Sequence, residues 1–254
     1  MASSRAVVRL AAVRPRTALP ALCAAGATAN RALAHTEAAP APASTPVPKP
    51  FGNDLSPTDM LTHLNDVSFS AYKSATHPGL FGTDSFIAQL ALTHESWKHG
   101  AKGHNRRFAF LGRRAATSSL TIFLYDVAKS GSSAATFARD VLADAALLEN
   151  ILETRSLGAR AGRELGLEKV MRWQPTMLVD PEHGKQETGL YKVRGRCLEA
   201  VVGALLHYRG AHVAQLFFYE RILPTLDFGR MPDEFRDVVR RTSDDAAKAL
   251  SQLP

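Results

Sequence analysis

The chain has little cysteine and no long apolar run, and both absences limit the classes of protein it can belong to. Cys23 and Cys197 are the only cysteines among 254 residues, which excludes a disulfide framework of the kind that holds small secreted domains together. No run of about 18 apolar residues occurs, so we expect no membrane span. With 45% hydrophobic residues, the chain has enough apolar material for one sizeable globular domain with appendages.

Acidic residues are absent from the first 36 positions, where arginine supplies most of the net charge. The five arginines there are Arg5, Arg9, Arg14, Arg16 and Arg31. The chain carries a formal charge of +7, but the residues after position 36 hold 26 Lys and Arg against 24 Asp and Glu. Overall basicity is therefore weak evidence for nucleic acid binding. The acid-free start predicts a mitochondrial transit peptide over residues 1–36, with a secretory signal as the alternative.

The remainder divides into an arm, a domain and a tail. Residues 37–55 carry prolines at positions 40, 42, 46, 48 and 50, which predicts an extended linker or arm. Ser56-Pro57-Thr58-Asp59 is typical of a helix start, with an N-cap, a first-turn proline and a first-turn acid. We expect the domain to occupy residues 56–226 and a polar tail with a short exposed helix to occupy residues 227–254.

Apolar residues in the predicted domain recur mostly at spacings of three or four, which favours helices. The pattern is clear over Met60–Val67, Phe137–Leu152 and Leu198–Leu206. Alternating strand-like runs are scarce, so the sequence predicts an all-α domain. Asp180–Gly189 is rich in polar residues and glycine, which indicates a loop.

Common catalytic and cofactor motifs are missing. No glycine-rich phosphate loop and no Cys/His cluster occur. His94, Glu95 and His99 imitate a zinc-protease helix, but five residues between the histidines turn the helix by about 140° and place them on different faces. We therefore expect neither a metal nor a cofactor.

Three ordered motifs resemble the ribonuclease III catalytic domain. They are QLALTHES at residues 89–96, NRRFAFLGR at 105–113 and RCLEAVVGAL at 196–205. The family's corresponding text reads approximately A-L-T-H-x-S, N-E-R-L-E-F-L-G-D and D-x-x-E-A-x-x-G-A. The resemblance implies an all-α ribonuclease III-type domain over residues 56–226. The family commonly adds a double-stranded-RNA-binding domain, for which residues 227–254 are too few.

The family's metal-binding acids are largely replaced here. Ribonuclease III enzymes cleave double-stranded RNA with Mg²⁺ held by carboxylates on two helices. The positions that match those acids, together with one neighbouring family acid, are Arg106, Ala109, Arg113, Arg196 and Glu199. Because only Glu199 keeps a carboxylate, the resemblance implies a scaffold that is not an enzyme.

Cations cluster around the lost acids and suggest contact with RNA. No acid occurs from Ser96 to Tyr125, and arginine can bind phosphate oxygens bidentately. The candidate RNA-binding residues are Lys98, Lys102, Arg106, Arg107, Arg114, Lys192 and Arg194. Two alternatives stay open: an internal network in which Arg113 and Arg196 pair with Glu199, and a merely solvated basic face.

Family domains associate through the helix that bears the Phe-Leu-Gly motif. The resemblance therefore implies a dimer interface at Phe108, Phe110 and Leu111. The aromatic run Phe217, Phe218 and Tyr219 is expected in the core or in a dimer interface.

Taken with the N-terminal composition, the domain resembles the ribonuclease III-like proteins of the fungal mitochondrial large ribosomal subunit. That resemblance implies a structural protein of the mitochondrial matrix that binds large-subunit ribosomal RNA, a second ribonuclease III-like protein and other large-subunit proteins. A mitochondrial endoribonuclease and a non-ribosomal RNA-binding pseudoenzyme are the alternatives.

Overall fold

A computed structural model of the chain describes residues 54–68, 79–101, 103–175, 178–179, 186–187 and 189–253. The predicted transit peptide, most of the predicted arm and the candidate RNA-binding residue Lys102 lie outside these residues. Nearly all described segments are helical, which confirms the all-α prediction.

Nine α-helices follow one another through the described ranges. They are α1 (Pro57–Ser68), α2 (Ser85–Leu92), α3 (Arg106–Ala128), α4 (Ser133–Ala143), α5 (Ala145–Ile151), α6 (Thr154–Ala159), α7 (Ala161–Glu164), α8 (Leu190–Phe217) and α9 (Asp233–Ser251). Short 3₁₀ segments occur at Trp97–Gly100, Leu167–Lys169 and Leu223–Thr225, and a π-helical turn at Phe218–Ile222. The apolar pattern over Phe137–Leu152 spans α4 and α5, which are separated by Asp144; this residue is extended and caps α5 by accepting a 3.0 Å hydrogen bond from the Leu147 amide.

The predicted helix start at Ser56 is confirmed. The Asp59 amide donates to Ser56 Oγ at 3.2 Å, and Ser56 N donates to Asp59 Oδ2 at 3.0 Å. This reciprocal pair follows the capping-box pattern and satisfies two main-chain N–H donors at the N-terminal end of α1. These bonds hold the pKa of the Asp59 carboxyl below its usual value.

One small hairpin modifies the loop predicted at Asp180–Gly189. Strand β1 (Leu178–Val179) pairs antiparallel with β2 (Gln186–Glu187), with Leu178 opposite Glu187. The prediction of a loop over the whole segment is therefore wrong at residues 186–187, because ladder pairing with β1 holds them extended. Gly189, with φ of 76°, then leads into α8.

Helix α8 runs through the centre of the domain and packs most extensively against α3. Two glycines allow the two backbones to touch. A Cβ on Gly112 of α3 would lie 1.7 Å from the Glu199 carbonyl oxygen, and one on Gly203 of α8 would lie 1.9 Å from the Phe108 carbonyl oxygen. The glycine of the Phe-Leu-Gly motif is thus required by close helix contact.

Two further glycines allow close contact between the backbones of α8 and α6. A Cβ on Gly195 would lie 1.8 Å from the Thr154 carbonyl oxygen, and one on Gly158 would lie 1.9 Å from the Tyr191 carbonyl oxygen. Together, these glycine contacts pack α6 and α3 against successive turns of α8, and thereby place side chains of all three helices around the position of Glu199.

The C-terminal segment is part of the core, which corrects the prediction of an exposed tail helix. Phe235 of α9 is fully buried and makes edge-to-face contacts with Phe123, Phe137 and Phe228 at centroid distances of 5.8, 4.8 and 5.2 Å. Burial of such an aromatic side chain is a large apolar contribution to stability. The segment is helical as expected, but the folded domain extends to about Ser251.

The aromatic run after α8 also lies in the core. Phe217 and Phe218 have no exposed surface, and the Tyr219 hydroxyl donates to the Ser119 carbonyl oxygen at 3.2 Å. None of the helices that the structure describes combines the length and the apolar character that a bilayer crossing requires.

Candidate functional site

The positions that the motif resemblance aligns with the family's acids converge where α3 crosses α8. Arg113 comes from α3, and Arg196 and Glu199 come from α8, while Ala109 is fully buried between the helices. The contact of Gly112 with the Glu199 main chain brings the two sequence motifs together. The structure therefore assembles the constellation that the motif alignment predicts.

Glu199 is buried and surrounded by donors. Its side chain is 1% exposed. Arg113 Nη1 lies 3.5 Å from Oε1, Arg196 Nη1 lies 3.2 Å from Oε2, and Thr154 Oγ1 donates to Oε1 at 2.8 Å. A buried carboxylate needs such partners, since desolvation of an uncompensated charge is costly. The internal network considered from the sequence is thus present.

Arg113 also donates through Nη1 to the Leu152 carbonyl oxygen. This bond joins the end of α5 to α3 and holds the guanidinium beside Glu199. Sequence reasoning missed both Thr154 and Leu152, because neither lies in a recognised motif and each is brought to the site only by the packing of α5 and α6.

This arrangement differs chemically from a magnesium site. Mg²⁺ is held by anionic or neutral oxygen ligands and disfavours nearby cations. Here the one carboxylate has both oxygens engaged by guanidinium or hydroxyl donors. In the ranges that the structure describes, no group of three or more His, Cys, Asp or Glu is arranged to hold a metal ion.

A cleft of about 520 Å³ opens beside this network. We call it the arginine cleft, and four arginines line it: Arg106, Arg113, Arg114 and Arg196. Thr117 and Thr121 add hydroxyl groups, and Glu149 is the one acidic residue in the lining. Because Arg106 and Arg114 are exposed, their guanidinium groups are available to an anionic ligand.

Phe110 stands at the arginine cleft with its side chain largely in solvent. It is 60% exposed, and the Arg114 guanidinium lies 5.5 Å from its ring centroid. An exposed phenylalanine beside a cation can contact either an apolar protein surface or a nucleic acid base.

The three residues predicted to form a dimer interface do not share one environment. Phe110 lines the arginine cleft, whereas Phe108 and Leu111 line a second pocket on another side of α3. Phe108 is half-buried against the rings of His207 and Tyr208, at centroid distances of 5.9 and 6.2 Å. Phe110 is therefore the most accessible member of the set.

The remaining candidate RNA-binding residues fall in different places. Lys98 is exposed, with Nζ 5.2 Å from the centroid of Trp97, and Lys192 is exposed on α8. Arg107 is exposed and lines the second pocket instead of the arginine cleft.

Arg194 is a correction to the predicted RNA-binding set. It is 3% exposed, its Nε donates to the Gly158 carbonyl oxygen, and its Nη1 lies 3.1 Å from Glu168 Oε2. Because Gly162 has no side chain, the Arg194 stem packs closely against it. Arg194 therefore stabilises the packing of α8 on α6 and α7 and is closed to RNA.

Burial shifts the pKa of two groups in the first and third motifs. Desolvation lowers the pKa of His94, whose Nδ1 lies 2.9 Å from Ser96 Oγ. Burial raises the pKa of the Cys197 thiol to about 12, against a hydrogen bond from Asn105 that lowers it. His94 is thus favoured in its neutral form, and the buried Cys197 is favoured in its thiol form.

Comparison with known proteins gives one family and one curated relative. A family model described as Ribonuclease-III-like matches residues 84–226. Over 147 residues the chain is 34% identical to the large ribosomal subunit protein mL57 of Neurospora crassa, and the alignment covers 54% of this chain and 54% of that protein. The chain thus matches about half the length of this relative.

Proposed function

The chain belongs to the ribonuclease-III-like family, and on that premise we propose that it is a non-catalytic protein of the mitochondrial large ribosomal subunit that binds ribosomal RNA. The observation that carries the proposal is the pairing of the buried Glu199 carboxylate with Arg113 and Arg196 beside a cleft lined by arginine.

Loss of cleavage follows from the ligand set. A metal ion activates water in this chemistry by holding it beside the scissile phosphate, and anionic oxygens must hold the metal. Ala109 has no oxygen ligand in its side chain, and Arg113 and Arg196 place positive charge where the family places acids. The site therefore favours a phosphate over a metal ion.

RNA binding is supported by the accessible cations of the arginine cleft. Arg106 and Arg114 are exposed, and Thr117 and Thr121 on the same helix can donate hydrogen bonds to phosphate oxygens. Because Glu199 is already neutralised, these cations are left to interact with a ligand. Lys98 and Lys192 extend the set of exposed cations. Lys102 is a further candidate by sequence and lies outside the described residues.

Membership of a large ribosomal subunit is supported by the relative. The Neurospora crassa protein is named as a large ribosomal subunit protein, and the chain is 34% identical to it over 147 residues. The acid-free, arginine-rich N-terminal residues support a mitochondrial location. Ribosomal RNA and other large-subunit proteins are the partners that follow from this assignment.

Pairing with a second ribonuclease III-like protein is supported by Phe110. A phenylalanine that is 60% exposed next to the α3–α8 crossing is a suitable anchor for a protein interface, where aromatic residues dominate the binding energy. We propose a related subunit as the partner, because a single site on an asymmetric particle does not require self-pairing.

The test is sedimentation of the endogenous protein from a mitochondrial lysate. We expect it to travel with large ribosomal subunits and to remain there after a high-salt wash, as an integral subunit protein does. An active endoribonuclease or a non-ribosomal RNA-binding pseudoenzyme would instead sediment apart from the particle or be released by salt. Cross-linking on the intact particle tests the pairing, and the absence of a related neighbour would contradict it.

A further inference from the structure

The second pocket beside α3 lies apart from the arginine cleft and shares no lining residue with it. We call it the Phe108 pocket; its volume is about 520 Å³, within the range of sites that hold small ligands. Leu90 and Leu111 supply aliphatic wall, and the rings of Phe108, His104 and His207 supply flat surfaces. His207 is exposed and stands in contact with Phe108. Such walls suit a flat, apolar-faced group.

Glycine main chain forms another wall of the pocket. Gly100 and Gly103 line it, with φ values of 74° and 82°. A Cβ on Gly103 would lie 2.9 Å from Leu90 Cδ2, so a side chain there would press into the pocket wall. The preceding Lys98 and His99 have φ values of 46° and 54°, which is uncommon for residues other than glycine. Residues 98–100 therefore adopt a left-handed main-chain conformation next to the pocket, which is energetically unfavourable for Lys98 and His99.

The described residues that line the Phe108 pocket include no carboxylate. Residues 85–92, 96–125 and 200–219 contain neither Asp nor Glu. Arg107 lines the pocket and is exposed, and no ion-pair partner for it is found within the described part of the chain. The pocket thus combines aromatic walls with a solvent-accessible guanidinium, and none of the described residues that line it is acidic.

We propose that the Phe108 pocket holds one unpaired RNA base, with Arg107 contacting a phosphate of the same strand. This inference rests on the proposed RNA-binding function and specifies part of the RNA: a bulged or looped nucleotide next to the duplex surface. A base has an apolar face that stacks on aromatic rings, and it is joined to an anionic backbone within reach of a nearby cation.

A side chain of a partner protein is the competing occupant. An apolar side chain would use the leucine and phenylalanine walls, but it would gain nothing from Arg107 or from the absence of acids. A nucleotide uses both features, so the charge pattern favours RNA. The exposed Phe110, on another side of α3, remains available to the partner protein.

The experiment compares the affinities of three RNA hairpins for the full-length chain. One hairpin is perfectly paired, the second carries a single bulged 2-aminopurine, and the third carries an abasic site at the bulge. We expect the bulged hairpin to bind roughly 5- to 100-fold more tightly than the other two, the factor that base stacking on an aromatic side chain provides. Its 2-aminopurine fluorescence should change as the base enters the pocket.

Two variants separate the pocket from the rest of the RNA surface. Leu111→Ala removes aliphatic wall from the pocket without a change of charge, and His207→Ala removes an exposed stacking ring; both should weaken the preference for the bulge while affinity for the perfect hairpin is kept. Ile122→Ala removes an exposed aliphatic side chain at a position of α3 outside the pocket lining and is the matched control. Melting curves verify that each variant is folded.

The outcomes distinguish this inference from the proposed function. Equal binding of the three hairpins, with no change in fluorescence, would overturn the base pocket and leave RNA binding intact. Failure to bind any hairpin would count against both. If the Leu111→Ala variant kept its preference for the bulge but lost a related protein subunit, the occupant would be a protein side chain and the inference would be wrong.

Discussion

Removing both arginines that contact Glu199 should destabilise the domain by more than the sum of the single changes. Arg113 is 32% exposed and Arg196 is 45% exposed at the side chain, whereas Glu199 is 1% exposed. Water screens each arginine in part, so Arg113→Gln or Arg196→Gln alone should cost about 1 kcal/mol. After either change, the other arginine and the Thr154 hydroxyl still satisfy the carboxylate.

The double variant leaves a buried carboxylate without a cation. Breaking a buried pair in this way costs about 3–5 kcal/mol. The coupling between the two arginines should therefore be about 1–3 kcal/mol beyond additivity, which a double-mutant cycle measures directly. Adding Glu199→Gln to the double variant should recover about 2 kcal/mol or more, because the neutral amide has no charge to desolvate and can still accept from Thr154.

Urea denaturation of the four variants and the wild-type chain gives the required free energies of unfolding. Arg236→Gln is the matched control, since its pairing with Asp233 is mostly exposed and its loss should cost less than about 1 kcal/mol. A double variant as stable as the wild-type chain, or a triple variant with no recovery, would show that Glu199 does not depend on these arginines.

Three further predictions concern other parts of the domain. Replacement of three arginines by Gln should flatten the dependence of log affinity for RNA on log salt by about 2–3 units, because each phosphate contact releases roughly one counterion; an unchanged slope would mean that they are only solvated. These arginines are Arg106, Arg107 and Arg114. Gly112→Ala should destabilise the domain by about 3 kcal/mol or more, since its Cβ would lie 1.7 Å from the Glu199 carbonyl oxygen, whereas the exposed Ser118→Ala should have little effect on the urea midpoint. In a Cys23→Ser background, Cys197 should resist alkylation at pH 8 until urea unfolds the chain, because it is buried and its thiol pKa is about 12; rapid native labelling would contradict its burial.

The helical class and the start of α1 are predictable from the sequence because both depend on local patterns. Apolar spacing marks helices whatever their neighbours, and the Ser56 cap is contained within four residues. The convergence of the motifs at Gly112 and Glu199 is instead implied by their resemblance to the ribonuclease III family, since the two motifs are distant in the sequence.

Charge along the chain does not show which way a side chain points, and two predictions are wrong for this reason. Arg194 lies two residues before Arg196, but two residues turn a helix by about 200°, so the two side chains lie on different sides of α8. The C-terminal segment is polar in sequence and yet packs into the core. Its ion pairs at three-residue spacing occupy one face of α9, while Phe235 and Val239 are buried on another.

The Phe108 pocket could not be predicted from local pattern. Its aromatic walls combine His104, which precedes α3, with His207 of α8. His207 lies three residues before Gly210, where α8 is kinked. Only the close approach of α3 to α8 brings these positions together. The absence of carboxylates from both segments was visible in the sequence, but its meaning depends on that contact.

The most direct test of the central claim is whether the full chain binds double-stranded RNA without cutting it. RNA is incubated with the protein and Mg²⁺ or Mn²⁺, and the bound and released strands are examined for cleavage. If the protein binds RNA without cleaving it, we expect salt-sensitive binding and intact strands with either metal. Metal-dependent cleavage that disappears in the Glu199→Gln variant would contradict the claim, because it would show that Glu199 supports catalysis in spite of Arg113 and Arg196.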